Sequence, residues 1–255
     1  MQPQAIIADI HANFEAFLAV LDDLKQKSIT EIISLGDLVG YGPNPIECII
    51  LSLEHNVINL YGNHELALFK DKTNFNPAAQ RAIDWTKQVI KNNQRHPRIK
   101  SFFDNLQYEY KKNNIIYTHG SPKGIIDEYV IKKEDFFKLT PEVKKNLKDN
   151  FELVEEIGFI GHTHIPYICT SDFYLVHPEW QEYQPYPLLP GTKTIINPGS
   201  VGQPRDNDPR ACYAVFDGQT VTHHRVKYDL ETTIKKMQEN LVLDKALWMR
   251  LRKGI

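Results

Sequence analysis

Five short hydrophobic runs in this sequence end in side chains that commonly bind metal ions, and this repeated pattern constrains the fold more than any other feature. The polar ends are Asp9-Ile10-His11, Gly36-Asp37, Gly62-Asn63-His64-Glu65, His119-Gly120 and Gly161-His162-Thr163-His164. Side chains two positions apart point to the same side of an extended segment. We therefore expect Asp9 and His11 to face one point. The same geometry is expected for His162 and His164, and five such ends predict one site at the ends of several strands.

The order of hydrophobic patterns predicts a parallel α/β sheet in the first quarter of the chain. Strands are predicted at residues 4–8, 31–35 and 56–60, with helices between them at 13–27 and 45–54. Strands that alternate with helices at short intervals are typical of parallel sheets, which bind ligands beyond the carboxyl ends of their strands. The first three polar ends all follow such a carboxyl end. The element order and the positions of the polar residues therefore agree.

The remainder of the chain predicts more strands and two helical insertions. Strands are expected at residues 108–110, 115–118, 158–161, 167–169, 174–176, 194–196, 211–216 and 220–227, and helices from residue 230 onward. A loop rich in proline and aromatic residues is expected at 178–190. The segment 66–106 either packs on the core or walls the site. No repeat or linker is visible, so we predict a single domain over residues 1–255, with helical insertions around 66–106 and 121–155.

Composition favours an ordinary cytoplasmic protein. The 255 residues are 42% hydrophobic and 24% charged, with a formal net charge of -2, so no electrostatic attraction to nucleic acid or anionic membranes is expected. The three cysteines are scattered along the sequence and are expected to be reduced. The chain starts with a strand pattern rather than a signal peptide, and its apolar runs are too short to span a bilayer. The sequence leaves the oligomeric state open.

The candidate ligands favour a pair of metal ions. They number seven: Asp9, His11, Asp37, Asn63, His119, His162 and His164. Histidine, carboxylate and amide ligands without cysteine suit divalent Mn, Fe, Zn, Ni or Co. Seven side chains are too many for one ion, whereas two ions about 3.5–4 Å apart would use them all if one carboxylate bridged. Asp37 is the expected bridge, because it is central among these residues and carries two oxygens.

These blocks, in this order, resemble the calcineurin-like metallophosphoesterase superfamily, whose pattern is D-x-H, G-D, G-N-H-D/E, H and G-H-x-H. All five blocks lie between residues 9 and 164. The later segment 197–205, N-P-G-S-V-G-Q-P-R, looks like that of the small YfcE-type phosphodiesterase branch. The resemblance implies an α/β fold, a four-layer αββα sandwich of two mixed β-sheets flanked by helices.

The resemblance also implies a role for each site residue. It assigns Asp9, His11 and His164 to one metal ion, Asn63, His119 and His162 to the second, and Asp37 to both. A hydroxide bridging the ions would attack phosphorus, in hydrolysis of a phosphodiester or phosphomonoester. His64 would protonate or stabilise the leaving oxygen, and Glu65 would orient His64. The implied cofactors are two divalent ions, with Mn expected ahead of Fe, Zn, Ni or Co.

Differences between the motifs of this chain and those of related phosphatases indicate which substrates to expect. Ser/Thr protein phosphatases carry G-D-x-V-D-R-G and R-G-N-H-E, whereas this chain has G-D-L-V-G-Y-G from Gly36 onward and Tyr61 before Gly62. The arginines that clamp phosphate in that branch are therefore missing. Arg205, in a motif-like loop, either contacts substrate phosphate or forms a structural salt bridge. A small phosphoester is the expected partner, with a phosphoprotein phosphatase and a non-catalytic protein-binding scaffold as alternatives.

Overall fold

Two mixed β-sheets packed face to face form the centre of this protein. The computed structural model describes residues 2–70, 75–93, 96–177 and 184–255. The strands are β1 (Gln4–Ile7), β2 (Glu31–Ser34), β3 (Ile58–Asn59), β4 (Glu109–Lys112), β5 (Ile115–Thr118), β6 (Ile157–Ile160), β7 (Tyr167–Thr170), β8 (Leu175–Val176), β9 (Tyr186–Pro187), β10 (Thr194–Asn197), β11 (Ala211–Phe216) and β12 (Thr220–Val226). The helices are α1 (Phe14–Gln26), α2 (Pro45–Glu54), α3 (Asn63–Ala67), α4 (Pro77–Asn93), α5 (Pro97–Asp104), α6 (Pro141–Leu153), α7 (Leu230–Glu239) and α8 (Lys245–Leu251).

The strand order brings the predicted polar ends to one edge of the sandwich. The first sheet runs β3-β2-β1-β11-β12-β9 and the second β4-β5-β6-β10-β7-β8. Strands β1, β2 and β3 are mutually parallel, whereas β11 is antiparallel to β1. In the second sheet, β5, β6 and β10 are parallel. The carboxyl ends of β1, β2, β3, β5 and β6 therefore carry the five polar ends.

Alternating side chains of each strand fill different layers, which explains the four-layer arrangement. On β1, Ala5 and Ile7 face the helices, where they join a cluster with Phe17 of α1. Ile6, between them, faces the second sheet and belongs to the cluster that separates the two sheets. A third cluster covers the outer face of the second sheet and includes Phe151 of α6. The predicted αββα sandwich of two mixed sheets is confirmed.

Helix starts follow the capping residues of the sequence. The Asn13 side chain accepts a hydrogen bond from the backbone N–H of Ala16, as predicted for the start of α1. Pro45 occupies the first turn of α2, where its missing N–H costs nothing. The Thr140 hydroxyl caps α6 by accepting from the backbone N–H of Val143. These local signals therefore fix where the helices begin.

One strand prediction and one loop prediction were wrong in extent. The predicted strand at 56–60 is reduced to the two residues of β3, because Asn56 lies in a left-handed turn directly after α2, with φ of 50°. The predicted loop at 178–190 contains β9, in which Tyr186 pairs with Val221 at the edge of the first sheet. Residues 178–183 of that loop lie outside the described residues.

The two predicted insertions differ in character. The first contains α4 and α5, although residues 71–74 and 94–95 lie outside the described residues. The second is helical only from Lys133 onward, in a short 3₁₀ turn and then α6, because Pro122 and Gly124 fall in its first turns. Within the described parts of the chain, each helix is too short or too polar to cross a lipid bilayer. The extent of the domain over residues 1–255 stays a prediction.

Candidate functional site

Two groups of ligand-type side chains meet where the carboxyl ends of both sheets come together, and they share one aspartate. The groups are Asp9, His11, Asp37 and His164, and then Asp37, His119 and His162. Within each group, one ligand atom from every residue lies within 4.8 Å of the others, and all these residues are buried. Asn63 adjoins the second group, with its Oδ1 3.0 Å from His119 Nε2. The structure thus brings together all seven candidate ligands.

The backbone at these residues is left-handed, which corrects the expectation of extended segments. The φ angles are 54° at Asp9, 49° at His11, 54° at Asp37, 66° at His162 and 60° at His164. A left-handed residue reverses the chain, so each side chain turns back over the strand end instead of continuing along the pleat. Left-handed residues other than glycine are uncommon and concentrate at functional sites. Convergence was therefore predicted correctly, but for the wrong geometric reason.

Main-chain carbonyl groups orient three of the histidine rings. The Nδ1 atoms of His11, His119 and His164 lie 3.3, 2.9 and 2.5 Å from carbonyl oxygens. Because a carbonyl can only accept, Nδ1 carries a proton in each ring. Burial lowers the pKa of His11 and of His164 well below its usual value, so Nε2 of these two rings presents a lone pair to the centre of the site. Burial also disfavours the charged form of His119, but nearby negative charges, chiefly that of Asp37, together outweigh it and raise the pKa of His119 to about 9. His11 Nε2 and His164 Nε2 then face each other at 3.1 Å without a proton to share. Such facing lone pairs suit a bound cation.

The two buried carboxylates also lie where a cation could bind, although their hydrogen bonding differs. Both side-chain oxygens of Asp9 are buried without a hydrogen-bond partner among the described residues. Burial raises the pKa of Asp9 to about 8, so its charged form needs a nearby cation. Asp37 Oδ1 accepts from the backbone N–H of His64 at 2.8 Å, and Oδ2 lies 3.4 Å from His119 Nε2 and 3.7 Å from His11 Nε2. The orphaned oxygens, the lone pairs and the mixed nitrogen and oxygen donors fit divalent metal ions.

His64 lies beside this cluster and faces the same cavity. Its ring centroid is 4.4 Å from that of Tyr41 and 4.8 Å from that of Phe75, and no described residue forms a hydrogen bond with its Nδ1. Its Nε2 lies 3.9 Å from Asp37 Oδ2. Burial lowers the pKa of His64 to about 4, although the charge of Asp37 opposes that shift. A β-carbon on Gly40 would lie 2.1 Å from His64 Nδ1, so glycine at that position makes room for the ring.

Glu65 does not orient His64, contrary to expectation. Its buried carboxylate accepts from the backbone N–H groups of Asp37 and Gly62, both at 2.9 Å, and of Val39 at 3.0 Å. Three amide donors saturate most of the carboxylate's acceptor positions, so the oxygens are turned toward the loop after β2 and away from the ring. Glu65 therefore holds the loop that presents Asp37, while contacts with aromatic rings position His64.

A cavity of 240 Å³ opens above the ligand cluster. Arg205, the predicted substrate contact, lines it. Its Nη2 donates to Gln203 Oε1 at 3.0 Å, and its buried Nε has no partner within the described parts of the chain. Among the described residues no carboxylate pairs with Arg205, because its neighbour Asp206 pairs with Arg225 instead. Of the two readings of Arg205, the structure favours a side chain that is available to a ligand.

Five further lining residues were missed by sequence reasoning: Tyr41 in the loop after β2, and four that lie outside the motifs. Phe75 and Asn76 come from the first insertion and Tyr129 from the second, so both insertions wall the cavity. The Tyr129 ring stacks on His162 with centroids 4.1 Å apart. Arg250 reaches the cavity from α8, with its guanidinium carbon 5.9 Å from the centroid of the Tyr41 ring. None of the four lies in a motif, so no local signal in the sequence distinguished them.

Among the residues that the structure describes, no aspartate or glutamate pairs with Arg250. Its Nε donates to the main-chain oxygen of Ile255 at 2.8 Å. Burial, followed by the charge of Arg205, lowers the pKa of Arg250 to about 10. The side chain is therefore still cationic at neutral pH.

Comparisons with known proteins agree with this geometry. Residues 4–221 match the calcineurin-like phosphoesterase superfamily domain. An uncharacterized protein of Methanocaldococcus jannaschii is 35% identical over 244 residues, 92% of each chain. The crystal structure of a metallophosphoesterase from Sphaerobacter thermophilus is 34% identical, with a TM-score of 0.82 over 100% of both chains.

A hypothetical protein from Pyrococcus horikoshii shares the fold, with a TM-score of 0.76 at 19% identity over 100% of this chain and 99% of that one. The narrower resemblance to the YfcE-type branch stays a prediction. The match over most of the chain, together with the relative at 35% identity, assigns the family. This chain belongs to the calcineurin-like phosphoesterase superfamily.

Proposed function

We propose that this protein is a metal-dependent phosphoesterase that hydrolyses phosphodiester or phosphomonoester bonds. The observation that carries the proposal is the pair of ligand groups that share Asp37 beneath a polar cavity. Asp9, His11 and His164 would hold one divalent ion, and Asn63, His119 and His162 the second. Two such ions lower the pKa of a water molecule and neutralise the non-bridging oxygens of the phosphoryl group. Manganese is the expected ion, with Fe, Zn, Ni and Co as alternatives.

The remaining residues act on the substrate or on the ligands. His64 faces the cavity and would assist the leaving oxygen, while Arg205 would contact the phosphoryl group. Glu65 acts indirectly, through the three backbone amides that hold the loop carrying Asp37. A small phosphoester is the proposed partner, in the cytoplasm, with no role for membranes or nucleic acid.

Metal-dependent turnover tests the proposal. Protein stripped with a chelator and reloaded with Mn²⁺ is assayed on p-nitrophenyl phosphate and bis-p-nitrophenyl phosphate. We expect turnover only after reloading, and loss of turnover in Asp37→Asn. Asp22→Asn, an exposed substitution on α1, serves as the matched control and should retain full activity. Absence of turnover of both esters with each of the five metals would contradict the proposal.

The alternatives predict different outcomes. A phosphoprotein phosphatase would turn over a phosphopeptide faster than either small ester. A protein-binding scaffold would keep its partner after His64→Ala and would show no turnover at all. The intact ligand set and the position of His64 in the cavity wall favour an enzyme.

A further inference from the structure

Two arginines on the cavity wall have no aspartate or glutamate partner among the described residues. Arg205 donates to the side-chain amide oxygen of Gln203, and Arg250 donates to an oxygen of Ile255, the last residue of the sequence. Other cationic side chains nearby are paired: Arg225 with Asp206, and Arg252 with Glu231. Burying a charge without a counter-ion is costly unless a ligand supplies one. The two guanidinium groups on the cavity wall therefore mark a place for an anion.

The positions of these arginines link them to the ligand cluster. The backbone N–H of Arg205 donates to the carbonyl oxygen of His164 at 3.2 Å, so Arg205 is anchored next to a candidate ligand. The Tyr41 ring lies 4.6 Å from the His11 ring on one side and contacts Arg250 on the other. The sole carboxylate in the described lining of the cavity is Asp37, which belongs to the ligand groups. The described lining thus holds two cationic side chains, and its one carboxylate is a candidate metal ligand and not a partner of either arginine.

We propose that Arg205 and Arg250 bind the doubly charged phosphoryl group of a phosphomonoester, so that the site selects monoesters over diesters. The proposal rests on the proposed phosphoesterase function and narrows its substrate class. A monoester dianion has three non-bridging oxygens, one more than a diester. A diester would place an uncharged ester oxygen and its carbon substituent against the guanidinium groups and leave their N–H groups unpaired. Sites built to hydrogen-bond a group strongly reject analogues that lack it.

The size of the cavity agrees with a compact substrate. Its volume of 240 Å³ is below the range of roughly 300–1,000 Å³ that is common for drug-sized ligands. A phosphoryl group with one small substituent fits such a space better than a phosphorus atom that carries two organic groups. The aromatic rings of Phe75 and Tyr129 on the wall would contact the single leaving group.

Anion binding provides the first test. Isothermal titration calorimetry with Mn²⁺-loaded protein compares inorganic phosphate with dimethyl phosphate, the diester monoanion. Arg250→Gln and Arg205→Gln should each weaken phosphate binding by about tenfold to a hundredfold, the loss expected for one charge-assisted hydrogen-bonding partner. Binding of dimethyl phosphate should change by no more than about threefold, because that anion does not engage the arginines. Unchanged phosphate affinity in both variants would overturn the proposal.

Matched variants exclude a general effect on α8. Arg252→Gln removes an exposed arginine from the end of the same helix and should leave phosphate binding unchanged. Arg250→Lys keeps the positive charge and should recover most of the phosphate affinity. Equal losses in Arg252→Gln and Arg250→Gln would indicate a damaged helix and would count against the proposal.

Steady-state kinetics separates this proposal from the proposed function. In the wild type, kcat/KM for p-nitrophenyl phosphate should exceed that for bis-p-nitrophenyl phosphate, and Arg250→Gln should reduce this ratio by about tenfold or more. A ratio that is the same in wild type and variant would overturn the arginine subsite while leaving the phosphoesterase intact. Arginine-dependent phosphate binding without turnover of either ester would instead support the subsite and contradict the enzyme.

Discussion

At the scale of single residues, the His64 ring is held by shape and not by a hydrogen bond. Aromatic rings pack around it, and Gly40 leaves space for its Nδ1. Burial lowers the pKa of His64 to about 4, so the ring is neutral at neutral pH. A neutral imidazole can still stabilise a leaving oxygen by donating an N–H hydrogen bond to it.

His64→Gln should lower kcat without releasing metal. Loss of a general acid costs typically about 10²–10⁴-fold in rate, and the loss should be larger for phenyl phosphate than for p-nitrophenyl phosphate, whose leaving group needs less protonation. Turnover of the two esters and elemental analysis of the loaded protein measure these effects. His55→Gln, an exposed histidine after α2, is the control. Equal losses for both esters, together with lost metal, would show that His64 is a ligand instead.

Residues within motifs could be predicted from the sequence, whereas those that depend on tertiary packing could not. Asp9 and His119 were identified because each follows a buried strand and carries metal-binding chemistry. Arg250 and Tyr129 sit in segments with no motif, and only the docking of α8 and of the second insertion brings them to the cavity. The role of Glu65 was misassigned because a sequence shows adjacency to His64 but not the direction of a carboxylate.

At the scale of elements, the loop after β2 has two roles: it carries Asp37, and it leaves space for the His64 ring. Gly40 in that loop has φ of +87°, and a β-carbon there would meet the His64 ring. The loop therefore links a candidate ligand to a candidate acid. Its shape depends on glycine for backbone angle and for space.

Gly40→Ala should reduce both stability and activity, whereas Gly191→Ala should reduce stability alone. Gly191 has a similar φ of +80° but nothing within 4 Å of an added β-carbon. The left-handed backbone costs a non-glycine residue roughly 1–2 kcal/mol, so both variants should lose about that much unfolding free energy, and Gly40→Ala more. Chemical denaturation and turnover are the measurements. Full activity in Gly40→Ala would show that the His64 ring is not confined by this loop.

Strand β12 carries a buried histidine that makes folding sensitive to pH. His223 Nε2 donates to the carbonyl oxygen of Asn197 at 2.8 Å. Burial lowers the pKa of His223 to about 4, although this hydrogen bond opposes the shift. The pKa in the unfolded chain is about 6.5, so the neutral form stabilises the fold above pH 6.5. That stabilisation is lost as the pH falls from 6.5 through 4.

His223→Gln should therefore flatten the decline of stability with acid. A shift of this size corresponds to on the order of 3 kcal/mol, and the variant should lose less unfolding free energy than the wild type between pH 7.5 and 4.5. Glutamine keeps a donor for the Asn197 carbonyl and does not titrate. Denaturant unfolding at several pH values, with chelator in all samples, measures the difference. Parallel curves would rule out His223 as a source of acid sensitivity.

Strands and helices were predicted correctly where the local sequence determines them, and they were missed where pairing with a distant segment determines them. Strand β1 and helix α1 follow from an apolar run and a capping asparagine. Strand β9 was missed because Tyr186 is extended only through its pairing with Val221. The left-handed angles at Asp9 and His164 were also missed, since neither residue type requires them; backbone hydrogen bonds such as Asp9 N–H to the Gly36 carbonyl oxygen, at 3.1 Å, hold that conformation.

At the scale of the whole molecule, the candidate metal site joins the two sheets. Asp9, His11 and Asp37 follow strands of the first sheet, whereas His119 and His162 follow strands of the second. A cation bound by both sets therefore opposes separation of the sheets. Metal binding and global folding should be coupled.

Chelation should lower the stability of the entire fold. Free metal at a hundred times its dissociation constant adds about 2.7 kcal/mol for a single site, so addition of Mn²⁺ to stripped protein should raise the unfolding free energy by at least that order. Denaturant titrations with Mn²⁺ and with chelator give the difference. Asp37→Asn removes the carboxylate shared by both ligand groups. In this variant, the unfolding free energies measured with Mn²⁺ and with chelator should differ by less than in the wild type. Superimposable wild-type curves would contradict a metal that bridges the sheets.

The strand order also has a consequence for how the polypeptide is made. Strand β1 lies between β2, which follows it closely in the chain, and β11, which comes near the end. The intervening stretch of about 200 residues takes on the order of 10–40 seconds to synthesise at roughly 5–20 residues per second. Throughout that interval one edge of β1 has no partner from its own chain, and bare edges recruit foreign strands. During synthesis the unpaired edge of β1 can therefore bind strands of other chains, whereas in the folded protein β11 covers that edge.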